Sequence, residues 1–310
     1  MHSALPRPLL LAAAIACGNT IAAADSTQAS DFSRSYSAKI GAGREYDSNV
    51  SVSEVDATSG ESDYAWALDM GVGVKQALGQ KTELSLNYDF SQSRHDEFSF
   101  VDRQTHIVGA NLSTDLTSTK AGLSAYYIDS RLDGDPFLEY LRLSPSLSGF
   151  LSKRWFARGA YVYAERTINR RSDRDADTHS LEGDLYYFHR GLRSYFNIGY
   201  RYRDENTVLA SLDFTSHGIK LRYIRRFDIA GTQAKGEISW RYEERRYLSM
   251  DPVIEQKRED NRGRLKLDLE LPLGQRATLG WYYSYGDFAS NLPRADFDQT
   301  VVGTRVEFKW

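Results

Sequence analysis

Hydrophobic and polar positions alternate along this chain with a period of two. The final stretch, Thr300 to Trp310, is the clearest case. Thr300, Val302, Thr304, Val306, Phe308 and Trp310 share one parity, and Val301, Gly303, Arg305, Glu307 and Lys309 share the other. Successive side chains of a strand point to opposite faces, so such a segment has one greasy face and one wet one. Reading alternation and turn residues along the whole chain predicts fourteen strands: 35–46, 63–77, 81–93, 103–115, 118–131, 138–152, 155–168, 178–190, 192–204, 213–227, 231–246, 259–272, 275–287 and 298–310. Two carry irregularities: Pro145 interrupts the sixth, and Arg225 sits at an outward parity of the tenth.

The connectors predict how these strands are arranged. Long ones (47–62, 94–102, 132–137, 169–177, 205–212, 247–258, 288–297) alternate with tight turns such as Leu78-Gly79-Gln80, Ser152-Lys153-Arg154 and Pro272-Leu273-Gly274. Loops sorted by length onto two ends, with about nine to eleven tilted residues enough to cross a bilayer, fit an outer-membrane barrel. A terminal strand ending on an aromatic resembles the signal by which such barrels are recognised for insertion. The aromatics agree. Tyr64, Trp66, Tyr88, Tyr127, Tyr161, Tyr200, Trp240, Tyr242 and Tyr285 fall on the apolar parity toward the long loops, and Trp155, Tyr187, Tyr223, Phe308 and Trp310 toward the short turns. Two interfacial belts with smaller apolar residues between them are expected of a membrane-spanning barrel. The fold class is therefore all-β, a transmembrane antiparallel up-and-down barrel occupying 35–310 as one domain.

Composition narrows the picture further. Arg7, the apolar run Leu9 to Cys17 and Ala22-Ala23-Ala24 form a secretory signal peptide over 1–24, leaving 25–34 as a short periplasmic segment too small to plug a lumen. The single cysteine, Cys17, leaves with it, so neither a disulfide nor a thiolate metal site is expected; lipidation of Cys17 is the alternative. No later segment has the ~20 consecutive apolar residues of a membrane helix. Of 39 basic side chains only Arg7 departs with the signal, against 42 acidic ones that all stay, a balance that gives no reason to expect nucleic acid.

The wet parity of the second half is heavily charged. Arg201, Arg203, Lys220, Arg222, Lys235, Arg241, Arg262, Arg264 and Lys266 are candidate lumen residues, accompanied by Glu182, Asp184, Glu237, Glu243, Asp268 and Glu270. Such a wall is either a track that attracts anions or a ladder of ion pairs that stiffens the barrel. Enzyme chemistry is not expected. His106, His179, His189 and His217 stand singly, and His95-Asp96-Glu97 is the only loop cluster with acid–base potential. The acids of the first long loop (Asp47, Glu54, Asp56, Glu61, Asp63) and of the fourth (Asp173, Asp175, Asp177) lack the glycine and terminal glutamate of a calcium loop and read as solvated charge. Arg170, Arg171 and Arg174 are positioned to meet lipopolysaccharide phosphates. No cofactor is expected.

Two motifs resemble a known group. Gly43-Arg44-Glu45-Tyr46-Asp47-Ser48-Asn49-Val50, and Tyr283-Ser284-Tyr285-Gly286-Asp287-Phe288-Ala289-Ser290-Asn291-Leu292 followed by Phe297-Asp298, are similar to the first and last hairpins of the barrels of surface lipoprotein assembly modifiers and related tetratricopeptide-linked proteins. The resemblance implies a fourteen-stranded barrel with an exit path; no counterpart of the repeat domain that precedes it in that group is expected in the short segment 25–34. The expected function is an outer-membrane transport or export pore for an anionic solute, polymer or protein client, working alone or with a separate periplasmic partner, with both termini periplasmic. A passive porin-like channel and a structural or surface-interaction barrel with a blocked lumen are the alternatives.

Overall fold

The computed structural model describes residues 33–229 and 231–310; the expected signal peptide and the cleavage site before Asp25 lie outside them. Fourteen strands, numbered in chain order, form the wall: β1 (Arg34–Asp47), β2 (Asp63–Ala77), β3 (Thr82–His95), β4 (Arg103–Asp115), β5 (Thr119–Leu132), β6 (Asp135–Phe150), β7 (Trp155–Ile168), β8 (Ala176–Tyr187), β9 (Ser194–Thr207), β10 (Phe214–Ile229), β11 (Thr232–Asp251), β12 (Gln256–Pro272), β13 (Ala277–Ser290) and β14 (Phe297–Lys309). Each pairs antiparallel with its sequence neighbours, and β1 closes on β14 from Lys39↔Lys309 to Asp47↔Val301. Closure removes the unpaired edges that an open sheet would expose.

The predicted spans 63–77, 103–115 and 155–168 coincide with β2, β4 and β7. Pro145 does not break β6. It faces Leu123 on β5, while toward β7 pairing lapses between Leu143↔Tyr163 and Ser146↔Ala160, because proline has no N–H to give the ladder. Two connectors expected to be long are short instead. Asp133 (φ 50°) and Gly134 (φ 81°) make a tight turn with both residues left-handed, extending the β5–β6 hairpin to Leu132↔Asp135. An Asp-Gly pair is a strong hairpin signal, so this correction was available in the sequence. Likewise β11 and β12 run on past 246 and back before 259, to Met250↔Lys257 and Asp251↔Gln256.

The outer face carries the apolar parity: Trp66, Val72, Val108, Leu147, Leu181 and Ile198 are all exposed. Near the long loops a polar–aromatic belt recurs from hairpin to hairpin. The tyrosine hydroxyl shares a hydrogen bond with a histidine Nδ1 at Tyr88–His106 (2.8 Å), Tyr161–His179 (2.5 Å) and Tyr200–His217 (2.7 Å), and donates to a side-chain oxygen at Tyr242–Asn261 (2.6 Å) and Tyr285–Asp298 (3.1 Å). At the opposite end Trp155 packs on Tyr187 with ring centres 4.7 Å apart, and Phe196 on Tyr223 at 4.6 Å. Rings that are apolar on one end and hydrogen-bonding on the other suit the two interfaces of a bilayer.

Inside the barrel, glycines make room for rings. Tyr282 lies across Gly303 and donates to Glu45 (2.5 Å), so a Cβ at 303 would strike the ring. Gly303→Val is expected to displace Tyr282, lose that hydrogen bond and cost about 1–3 kcal/mol, as overpacking does. A lower urea midpoint of the refolded barrel would register it; an unchanged midpoint would show that the ring is not held there.

Candidate functional site: the lumen and its inserted loop

The first long loop, 48–62, leaves β1 and turns into the barrel mouth. It forms two two-residue strands, Ser51–Val52 and Ala57–Thr58, around a single helical turn, with Asp56 left-handed at φ 50°. An apolar anchor holds it: Val50 and Val52 are buried with Val101, packed against Phe98, Leu132 and Phe137. Two of its acids then reach across. Glu54 takes a bidentate pair from Arg103 on β4 (2.7 and 3.2 Å). Asp56 takes a bidentate pair from Arg258 on β12 (3.0 and 3.0 Å), and Arg174 from the fourth long loop closes on it at 2.8 Å, with Arg262 at 3.6 Å. Since β4 and β12 stand on nearly opposite walls, loop 48–62 spans the mouth.

The two motifs quoted above turn out to build this arrangement. Asp47 accepts from Asn49 N–H (3.0 Å) and from Gln299 Nε2 (2.8 Å), Ser48 accepts from Thr300 N–H (2.8 Å), and Asn49 donates to the Asp298 carbonyl (3.0 Å). Asn49 Oδ1 also takes Gly60 N–H (3.0 Å) and the Thr58 hydroxyl, tying both ends of the loop together. On the other motif, Ser290 donates to Asp260 (2.7 Å), Asn291 bridges Glu259 and Lys257 backbone groups (3.0 Å each), and Leu292 is buried. Asp260 in turn holds Arg258 (2.8 Å) and Arg262 (3.0 Å). One motif hinges the loop and the other braces the arginines that receive it.

The reading of the loop acids as solvated charge holds for Glu61, which is exposed, and fails for Glu54, Asp56, Asp63 and Asp175, which are buried. Glu54 and Asp56 are 4% and 8% exposed. Asp175 accepts Ile168 N–H (2.7 Å) and Asp173 pairs with Arg171 (2.9 Å). Burial alone would raise the Asp56 carboxyl, but the hydrogen bonds and charge of Arg258, with Arg174 and Arg262, outweigh it and hold Asp56 well below the usual carboxylate range. Arg174, expected at the lipid surface, is buried (6% exposed) and faces inward, whereas Arg170 stays exposed beside Asp135 (3.0 Å). Sequence reading also missed Arg103 and Arg258. The signal available was indirect: valines at 50 and 52 in a loop, and arginines at the long-loop ends of strands.

Below the loop lies a cavity of about 360 Å³, lined by Glu54 and Asp56 above and by Arg201, Arg241, Arg245, Arg262, Arg264, Phe214 and Phe288 around it. Most of the sequence-predicted lumen residues reach a carboxylate. Arg203 meets Glu243 (2.8 Å) and Arg201 approaches it (3.4 Å). Lys220 meets Asp184 (2.6 Å), Lys235 meets Glu270 (2.7 Å), Lys266 meets Asp268 (2.7 Å), and Arg222 lies 3.8 Å from Glu237. Two do not. Arg241 and Arg264 stand directly opposite each other on β11 and β12, and among the described residues neither pairs with a carboxylate. Arg264 instead lies over the Phe288 ring at 5.2 Å. The Nε–H groups of Arg201, Arg222 and Arg262 are buried without an acceptor. The first-half wall is thinner in charge: Lys39 pairs with Asp89, and Asp69 with Arg305 of β14, both at 2.7 Å.

The histidines fall elsewhere. His106, His179 and His217 belong to the outer belt, and His95 lies 3.4 Å from Asp102 while Asp96 is bound by Arg44 at the rim. Among the described residues no group of three or more His, Cys, Asp or Glu side chains is placed to hold a metal ion.

Closed, antiparallel, wound strand to neighbouring strand and apolar outside, the chain has the fold of an outer-membrane β-barrel. Solved structures agree: an anion-selective porin from Comamonas acidovorans superimposes with a TM-score of 0.52 at 9% identity, over 90% of this chain and 100% of that one. OmpT, an outer membrane protein of Vibrio cholerae, gives 0.52 at 8% identity over 93% of this chain and 100% of its own. At such identities the likeness is one of fold. No protein-family model matches the chain, and no curated protein does.

Proposed function

We propose that this barrel is an outer-membrane transport pore for anionic solutes, its long loops outside and its termini periplasmic, with loop 48–62 as a constriction across the mouth. The observation that carries the reading is the unpaired Arg241–Arg264 couple facing a cavity. Two guanidinium groups set side by side repel one another, and in a wall with so many carboxylates nearby a partner could have been supplied by a single substitution. An anion entering the cavity relieves that repulsion, and a cleft of one sign concentrates such ions.

The loop itself favours a second reading, a barrel closed at rest and opened by a periplasmic partner or a secreted client, since ion pairs from opposite walls hold it. Reversal potentials in a planar bilayer under a salt gradient separate the two. The first reading expects a steady, anion-preferring current, with the preference reduced roughly tenfold in the Arg241→Gln, Arg264→Gln double variant, the lower end of what charge focusing supplies. Cation preference, or equal preference in both proteins, would end it; silence from a folded wild type would favour the closed barrel.

A further inference from the structure

Arg225, the outward-facing arginine of β10, has a setting of its own. It sits between Ser194 of β9 and Gly236 of β11, on the parity that elsewhere carries Ile219, Leu221 and Tyr223. Beside it opens a cleft of about 370 Å³ that also collects His189, Arg190, Arg193 and Arg226, with Asp228 as its single carboxylate. Among the described residues none of these four arginines forms an ion pair. The cleft is a built feature. Gly191 is left-handed at φ 59°, Arg226 N–H donates to the Arg193 carbonyl (2.8 Å), and the Arg226 guanidinium donates to the Leu192 carbonyl, so the β8–β9 turn is fixed against β10.

Depth identifies the ligand. Tyr223 lines the cleft and is also a member of the short-turn aromatic belt, stacked on Phe196 at 4.6 Å and receiving the Ser194 hydroxyl at 3.0 Å. Belt rings mark the level where acyl chains give way to headgroups. A cationic side chain there costs little, about 0–1 kcal/mol, but gains nothing unless an anion lies at the same depth. The anions confined to that level are lipid phosphates, which guanidinium groups bind in a fork geometry.

From the cleft and its depth we infer that it binds the phosphate of an anionic phospholipid of the leaflet at the short-turn end. A headgroup bearing an amine would be repelled by four arginines, so phosphatidylglycerol fits and phosphatidylethanolamine does not. The inference is independent of what crosses the lumen and rests only on the orientation given above.

Native mass spectrometry of the refolded barrel with added phosphatidylglycerol, phosphatidylethanolamine or lipid A tests it. Wild type is expected to retain phosphatidylglycerol preferentially. Arg193→Ala with Arg225→Ala should weaken retention about thirtyfold, at about fivefold per arginine near an anionic surface, while Arg225→Lys keeps most of it. Heat-modified gel mobility of the same samples confirms that each variant is folded. Equal retention by the alanine variant, or of phosphatidylethanolamine by wild type, would overturn the site. Preference for lipid A would overturn the leaflet, and displacement by millimolar inorganic phosphate would show a free-phosphate site instead.

Discussion

Replacing Asp56 with alanine should release loop 48–62 from the far wall and raise the single-channel conductance several-fold. The side chain is the meeting point of Arg258, Arg174 and Arg262, and without it three guanidinium groups are left around a buried, empty position. Breaking a buried ion pair by removing one partner typically costs about 3–5 kcal/mol, enough to turn a docked loop into a mostly undocked one. Glu54 and the valine anchor would remain, so the loop should swing from the Arg103 side rather than leave the mouth entirely. The mature chain is expected to lack cysteine, which makes Ser53→Cys a clean reporter. Its labelling by an externally added maleimide should be slow in the parent and fast in the Asp56→Ala background. Equal labelling and equal conductance would mean that the loop is held by its apolar anchor alone.

Acid should not reproduce this opening. A carboxyl whose folded pKa is depressed contributes docking strength that is fully present above its unfolded value, about 3.9, and is lost only as pH falls through the lowered folded value. Docking through Asp56 should therefore persist as pH falls from 7 through 4. A conductance step near pH 4 would contradict the arrangement of arginines around it.

Arg258→Ala should destabilise the long-loop end of the barrel more than any other single truncation of this network. Its side chain is fully buried and forks to Asp56 on one side and Asp260 on the other, with Tyr247 beneath it at 4.7 Å. Removing it leaves two buried carboxylates short of a cation, a loss of about 3–5 kcal/mol. The refolded variant should show a correspondingly lower urea midpoint and a mobile loop 48–62. Pairing Arg258→Met with Asp56→Leu should recover part of the stability, because an apolar pair of similar volume avoids the desolvation cost of that pair while Arg174 and Asp260 each lose a partner. Recovery of stability with the loop still unlabelled at Ser53→Cys would show that packing can replace the charges. Failure of the double variant to recover anything would show that the charges it leaves behind, at Arg174 and Asp260, cost as much as the pair it removes.

The strands were legible because their signal repeats every second residue and survives averaging over each span. Thr300 to Trp310 alternate in sequence and alternate in space, and the outward aromatics from Tyr64 to Tyr285 fall where alternating strand directions put them. Parity also found the inward arginines. It could not tell that Arg203 would have a carboxylate and Arg241 none, because that depends on cross-strand register and on two side chains meeting over the lumen. The loop was the larger miss. Acidic, connected by Ser and Gly, it has the composition of a solvated segment, and it is turned inward by contacts far along the chain, with Val101 and Arg103 on one side and with Arg174 and Arg258 on the other. Asp133-Gly134 was a different failure: a local hairpin signal outweighed by the expectation of a long loop.

The Asp47-Ser48-Asn49 hinge gives the barrel an order of assembly. Its partners, Gln299, Thr300 and Asp298, belong to the last strand, about 250 positions along the chain. Contacts that distant form late, after the loop-closure entropy between them has been overcome. The loop can therefore lock across the mouth only once β14 has zipped onto β1, and a barrel still open at its seam keeps an unlatched entrance.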